Sequence, residues 1–268
     1  MRGLIALLLL AALPALAGAA IIGRDDRHRI APRLCEEPAG EVGQILIGSG
    51  TRRGTGTASL MQLPGAAGRR VFVTAAHVVA RDGRLRVDPA SLQLLMHVRE
   101  FGGARRCQLR QLRVERLEAL SLDPTRDWST LMQDIAVFRL HEQAETLRRG
   151  AVAPLAALPQ DCPERRLRLT LHHGDIPEPG RYAVQRCSLR DKPAGVRAPE
   201  GVLFHDCDTA PGSSGGLITC LSERGWLAIG VNVAAVDKGG RDFGPRLYNI
   251  AVPFTPDILR RMVAFAGR

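Results

Sequence analysis

A chain of 268 residues that is 45% hydrophobic, with a mean hydropathy near zero, has the makings of a packed globular protein and not of a disordered one. Its formal charge is +10, carried almost wholly by arginine, with Lys192 and Lys238 the only lysines. Aromatic residues are only 4% and the arginines are scattered, with no basic helix or nucleic-acid motif, so the charge reads as compositional bias and no nucleic-acid partner is expected.

Met1-Arg2-Gly3 leads into an apolar run from Leu4 to Leu16 and then into small residues, the pattern of a signal peptide over residues 1–20. The run is shorter than the ~20 residues a spanning helix needs, so no membrane association is expected once the signal is removed. Ala17-Gly18-Ala19 and Gly18-Ala19-Ala20 both suit signal peptidase, and Ile21 is one expected mature start. Export, to a periplasm or the medium, makes the six cysteines candidates for disulfides. There is no CxxC pair and no Cys/His cluster at zinc spacing, so neither a metal nor another cofactor is expected.

From Val42 the chain breaks into short β-favouring runs separated by Gly, Pro and Arg turns. Strands are expected over Val42–Ile47, Thr55–Leu63, Arg70–Thr74, Ser91–Val98, Gln108–Glu115 and Ile135–Leu140. Gly54-Thr55-Gly56-Thr57 lacks the Gly-Lys-Ser/Thr that would complete a phosphate loop and reads as a strand bend. Residues 148–166, with Pro154, Pro159 and Pro163, resemble a linker between two halves, residues 21–147 and 167–254. Strands resume over Leu167–His172, Tyr182–Leu189, Val202–Asp206, Gly216–Thr219, Trp226–Ala234 and Leu247–Val252. Thr255-Pro256-Asp257 starts a helix over residues 255–268, with Ile258, Leu259, Met262, Val263 and Ala266 as its apolar stripe. This pattern means an all-β protein, barrel or sandwich, with a short C-terminal helix.

Three motifs carry the chemistry. Val71-Phe-Val-Thr-Ala-Ala-His77 runs an apolar strand through small residues into a histidine. Gln133-Asp134-Ile-Ala-Val-Phe places an acid at the mouth of another strand. Asp208-Thr-Ala-Pro-Gly-Ser-Ser-Gly-Gly216 can form a tight turn whose amides converge around the Ser214 hydroxyl, a nucleophile beside donors for an oxyanion. Singly, each has a plainer reading: a core histidine, a turn carboxylate, a surface loop. Their order and flanks together are more specific.

TAAHVV, DIAVFRL and PGSSGG resemble the signature segments of the trypsin-like (chymotrypsin-fold) serine proteases. The IIGRDDR start, CDTAPGSSGG and YNIAVP resemble in particular the secreted bacterial branch related to glutamyl endopeptidases. The resemblance implies two six-stranded antiparallel β-barrels with the site between them, and a secreted, monomeric endopeptidase acting on protein or peptide substrates. It assigns His77 as base, Asp134 as its orienting acid, Ser214 as nucleophile, and the amides of Gly212 and Ser214 as the oxyanion hole. It implies a specificity pocket with Asp208 at its base, favouring Arg or Lys at P1, and with Asn232, Ala234 and Ala235 along its wall. Asn232 stands where glutamyl endopeptidases carry a histidine, and Ser213 where trypsin carries the aspartate that pairs with the new N-terminus. Among the cysteines, Cys187 with Cys207 and Cys35 with Cys162 are the expected pairs, leaving Cys107 and Cys220.

Two rivals are weighed against this. Gly212-Ser-Ser-Gly-Gly216 also fits the nucleophile elbow of α/β-hydrolases, but that fold needs a histidine after the serine and the last here is His205. A catalytically weak or inactive protease-fold binding protein would be expected to lack a triad residue, and all three are present. His172-His173-Gly-Asp175 invites a metal reading, but its place between strands favours a structural one.

Overall fold

The computed structural model describes residues 20–30, 42–47, 54–63, 70–99, 107–140, 155–156, 160, 162, 164–175, 182–223 and 225–268. The signal segment, Cys35 and most of the expected linker lie outside the described residues. The chain forms β1 (His28–Ile30), β2 (Val42–Ile47), β3 (Gly54–Gln62), β4 (Arg70–Thr74), a helical turn α1 (Ala76–Val79), and a hairpin of β5 (Ala80–Arg81) and β6 (Arg84–Leu85). Next come β7 (Gln93–Arg99), β8 (Cys107–Ala119), a second turn α2 (Trp128–Leu131) and β9 (Ala136–Leu140). After β10 (Leu155–Ala156) come β11 (Arg166–Leu171), β12 (Tyr182–Arg190), β13 (Leu203–His205), β14 (Leu217–Ser222), β15 (Gly225–Asp237), β16 (Leu247–Pro253) and the helix α3 (Pro256–Gly267).

Antiparallel pairing closes two rings. The first runs β2–β3–β4–β9–β8–β7 and back to β2. The second runs β11–β12–β13–β16–β15–β14 and back to β11. Closure leaves no long unpaired edge. The fold is therefore all-β, two six-stranded barrels with a short C-terminal helix, as the sequence leads one to expect. β10 pairs in parallel with both β3 and β15 and so stitches the barrels together, while β1 of the N-terminal arm adds to β12 of the second barrel.

Alternation makes the walls. On β7, Leu94, Met96 and Val98 are buried while their neighbours are partly exposed, and on β8 Leu112 and Val114 point in between exposed Gln111, Arg113 and Glu115. β8 runs four residues beyond the expected Glu115: past a bulge between Val114 and Arg116 the burial alternation gives way to partly buried residues that still pair with β9. In the first barrel Phe72 and Phe138 lie opposite each other in register and stack at 5.3 Å, both buried. The helix α3 is capped by Thr255, whose hydroxyl accepts from the Ile258 amide at 3.2 Å, and it buries Ile258, Met262, Phe265 and Ala266. Arg261 on α3 reaches the first barrel through the Leu120 carbonyl at 3.2 Å and Gln133 at 3.3 Å.

The Cys187–Cys207 disulfide ties β12 to the segment after β13. The expected Cys35–Cys162 link is not made. Cys162 is turned into the second-barrel core, where its thiol hydrogen-bonds Cys220. Among the described residues no helix is long and apolar enough to cross a membrane, and no group of His, Cys, Asp or Glu is arranged to hold a metal ion.

Truncating the first barrel's stacked pair tests this packing. Phe138→Ala should cost about 3–5 kcal/mol, the usual loss for a large aromatic removed from a closed core, read as a shift in the urea midpoint at unchanged slope.

Candidate active site

β4 ends at Thr74 and the chain turns through Ala75 and Ala76, both wholly buried, where larger side chains would not fit between the barrel wall and the helical turn. That turn, α1, presents His77 at the seam. Its partner is set by another short helix. Asp127 caps α2 by accepting from the Thr130 amide at 3.0 Å, while Thr130 Oγ1 accepts from the Asp127 amide at 3.1 Å. The turn continues until the Asp134 amide reaches the Leu131 carbonyl at 2.9 Å, and Asp134 ends up fully buried. One carboxylate oxygen, Oδ1, accepts from the His77 backbone amide at 2.8 Å; the other, Oδ2, accepts from ring Nδ1 at 2.7 Å. The imidazole is thereby fixed in direction and tautomer, leaving Nε2 to accept from Ser214 Oγ at 2.8 Å. Burial pushes the His77 pKa down, but the charge of Asp134 and its hydrogen bond outweigh that, so the ring titrates above its ordinary value.

Ser214 sits in a turn pressed against the first barrel. Its carbonyl accepts from the Thr57 amide at 2.7 Å, and Thr57 Oγ1 donates to the Gly212 carbonyl at 2.9 Å. At Gly215 the backbone has φ of +92°, and a Cβ would fall on the Thr57 carbonyl oxygen and Thr74 Oγ1 well inside van der Waals contact. Within the turn, the Ser213 carbonyl accepts from Gly216 N at 3.0 Å and Asn232 Nδ2 at 3.1 Å, and Gly215 N donates to the Asn232 carbonyl at 2.9 Å. The amides of Gly212 and Ser214 find no acceptor among the described residues.

The cleft beside Ser214 is bounded by Thr209, Asn232, Val233, Ala234 and Ala235. Asn232 is buried, with its side-chain oxygen accepting from His205 Nε2 at 3.2 Å. Asp208 does not line this cleft. Its carboxylate is turned the other way, onto the N-terminal arm, accepting from the Ile22 amide at 2.7 Å, the Asp26 amide at 3.3 Å and Gln185 Nε2 at 3.1 Å. It is only 1% exposed, so the expected acid at the base of a cation pocket is missing because arm amides and Gln185 already occupy it. Thr209, its neighbour, bridges to Ala20, with Ala20 N to the Thr209 carbonyl at 3.2 Å and the return bond at 2.9 Å.

Sequence reasoning reads His172-His173-Gly-Asp175 as structural but does not connect this turn after β11 to the N-terminal arm or to the Ser214 turn. His172 and His173 are both buried. The His172 amide donates to Thr57 Oγ1 at 2.8 Å, across the seam. His173 lies against Arg27 and Ser213. The one signal available was the pair of adjacent histidines in a chain with few, next to a carboxylate.

No protein-family model and no curated protein matches the chain. Solved structures do. The chain is similar to a Glu endopeptidase bound to MPD, at a TM-score of 0.62 and 12% identity over 92% of this chain and 100% of that one. It is also similar to a thermostable serine protease, AL20, from an extremophilic microorganism, at 0.61 and 14% over 85% and 98%. The protease Anisep from Arthrobacter nicotinovorans aligns at 0.58 and 14% over 86% and 97%. At such identities the likeness establishes the shared two-barrel, chymotrypsin-type fold.

Buried histidines give the structure a pH signature. Burial first, then for His173 the Arg27 charge, lowers the pKa of His173 and of His205 to about 3. Both rings are neutral in the fold and would take up a proton near their ordinary value of about 6.5 once unfolded. Acid therefore favours the unfolded chain: their contribution is complete above about pH 6.5 and is lost as pH falls toward 3, each at up to about 1.4 kcal/mol per pH unit. Asp208, whose carboxyl burial raises, works in the opposite sense. Urea midpoints should fall steeply from pH 7 to pH 4, and His205→Asn should flatten that fall.

Proposed function

We propose that this chain is an exported serine endopeptidase that cleaves peptide bonds through an acyl-enzyme. The observation that carries the reading is the unbroken line from buried Asp134 through both nitrogens of His77 to Ser214 Oγ, at 2.7 and 2.8 Å. In this reading Ser214 Oγ attacks the scissile carbonyl as His77 Nε2 takes its proton. Asp134 holds the ring and stabilises its positive charge without accepting the proton. The carbonyl oxygen, now negative, is met by the amides of Gly212 and Ser214, which have no competing acceptor among the described residues. His77 returns the proton to the leaving amine, and water repeats the sequence on the ester. None of these steps calls on a metal or cofactor. What supports export is the leader-like segment and the Cys187–Cys207 disulfide. Cleavage after Ala19 rather than after Ala20 would retain the bridge between Ala20 and Thr209. The neighbours' names supply the substrate class: AL20 and Anisep are proteases, and the third is a Glu endopeptidase.

The pocket favours a neutral P1 side chain of modest size. Its wall offers Thr209, Asn232 and the methyls of Ala234 and Ala235, and among the described residues no charged group lines it apart from the His77–Asp134 pair. With the Asp208 carboxylate committed to the arm, an arginine or lysine at P1 would meet no counter-charge, and a glutamate no cation.

Ser214→Ala should lower kcat about a millionfold and abolish labelling by a fluorophosphonate, and His77→Ala should do much the same, while both variants stay folded. Parent protein that is folded yet neither labels nor cleaves casein would mean the alternative, a protease-fold binding protein. In the active parent, kcat/KM should rise with pH through an apparent pKa above about 6.5, because His77 acts as a base only when neutral.

Chromogenic peptides differing only at P1 should rank Ala, Val and Thr above Arg, Lys and Glu. Fastest turnover after arginine would overturn the pocket reading without touching the triad.

A further inference from the structure

Arg27, in the arm that precedes β1, is charged yet its side chain is only 9% exposed. Its guanidinium is fully engaged. Nε and Nη2 fork onto the two oxygens of Asp25 at 2.8 Å each. Nη1 and Nη2 fork onto Asp175 at 3.2 and 2.8 Å. Nη1 also donates to His173 Nδ1 at 2.9 Å. A planar fork with five donors can serve two carboxylates and a ring nitrogen at once, which an ammonium cannot. His173, 1% exposed, is held neutral by its burial and by the arginine charge, so its Nδ1 stays an acceptor.

The same nitrogen meets the nucleophile loop. Ser213 Oγ lies 3.3 Å from His173 Nδ1 and itself accepts from the Ala210 amide at 2.7 Å. One residue on, Gly174 N donates to the Pro211 carbonyl at 2.5 Å. A Cβ at Gly174 would stand 2.7 Å from that oxygen, so only glycine allows the approach. The peptide plane turns this contact into catalytic geometry. The Pro211 carbonyl and the Gly212 amide belong to one rigid unit and point in opposite directions, so holding the oxygen on Gly174 fixes that N–H to point away from the turn after β11.

We infer that Arg27, acting through His173 and Gly174, is a positioning residue that holds the 211–214 loop with its two amides converged on the oxyanion. Ser213 lacks the carboxylate that a charged N-terminus would pair with. The arm supplies an internal cation instead, one histidine removed. The inference rests on the protease reading of the preceding subsection. It adds that residues of the arm are needed for turnover, not only for stability.

The test uses the mature protein with parent, Arg27→Ala, Arg27→Lys, Gly174→Ala and, as a control in the same arm, exposed Arg24→Ala. Active sites are counted by fluorophosphonate titration, and kcat and KM are measured per titrated site on a P1-alanine peptide. Removing one oxyanion donor typically costs 100- to 1,000-fold, so a misaligned one should cost about 10- to 100-fold in kcat. Arg27→Ala and Gly174→Ala should both show that loss with KM changed less than about threefold. Arg27→Lys should recover little of it, and Arg24→Ala should match the parent. Affinity for a peptide aldehyde, whose adduct places an oxygen in the hole, should fall by the same factor as kcat/KM. Arg27→Ala with parental kcat per titrated site, however unstable, overturns the inference. If Arg27→Ala does not fold, Gly174→Ala, which leaves the ion pairs intact, decides: parental kcat there overturns it equally. A parent that neither labels at Ser214 nor cleaves removes the protease reading and this inference together, an outcome distinct from an active parent with indifferent variants.

Discussion

The constraint on which the site depends is the fit of the Ser214 turn against β3 of the first barrel. Thr57 meets the turn three ways: its amide on the Ser214 carbonyl, its hydroxyl on the Gly212 carbonyl, and its own carbonyl so close to Gly215 that no side chain fits between. Each barrel by itself holds an incomplete set, the first an imidazole and its acid, the second a hydroxyl. Only the registration of one wall against the other brings Oγ within 2.8 Å of Nε2. A shift of an ångström along that seam would break the hydrogen bond while leaving both cores intact, which is why glycine and threonine, rather than anything chemically reactive, are the residues least open to change there.

Electrostatically the site divides buried charge from buried neutrality. Asp134 is fully buried and meets two donors of His77. Asp208 is equally buried but bound by backbone amides and Gln185, and it faces the arm. His173 and His205 are kept neutral, so that neither adds a positive charge to that of Arg86, which already opposes protonation of His77. The pocket wall next to Ser214 is left with hydroxyl, amide and methyl groups.

Much of this was legible in the residues. Twelve short runs bounded by turn formers gave the twelve barrel strands with small errors at the ends, because alternation and closure are local properties of the sequence. The three motifs around His77, Asp134 and Ser214 name the side chains that the seam brings within hydrogen-bonding distance. What could not be read was direction. Asp208 occupies a place where an acid could face the substrate, and nothing in its neighbours says that it turns toward Ile22 and Asp26 some 180 residues earlier. Arg27 looked like one of many scattered arginines, since its partners Asp175 and His173 come from the far barrel. Cys162 met Cys220 for the same reason: both are apolar core residues of one barrel, a relation no spacing encodes. The turn α2 did carry a local signal, Asp127 three residues before Thr130, but a four-residue helix is too short to leave a periodicity.

The helix α3 has a consequence for how the acid is held. Its Arg261 touches Leu120 and Gln133, and its Arg268 pairs with Glu118, all in the stretch that delivers Asp134. The backing of the acid is thus supplied by residues 128 to 150 positions further along the chain. A chain clipped before Pro256 would keep its histidine, its acid and its hydroxyl, and would lose the strap that braces the loop carrying Asp134.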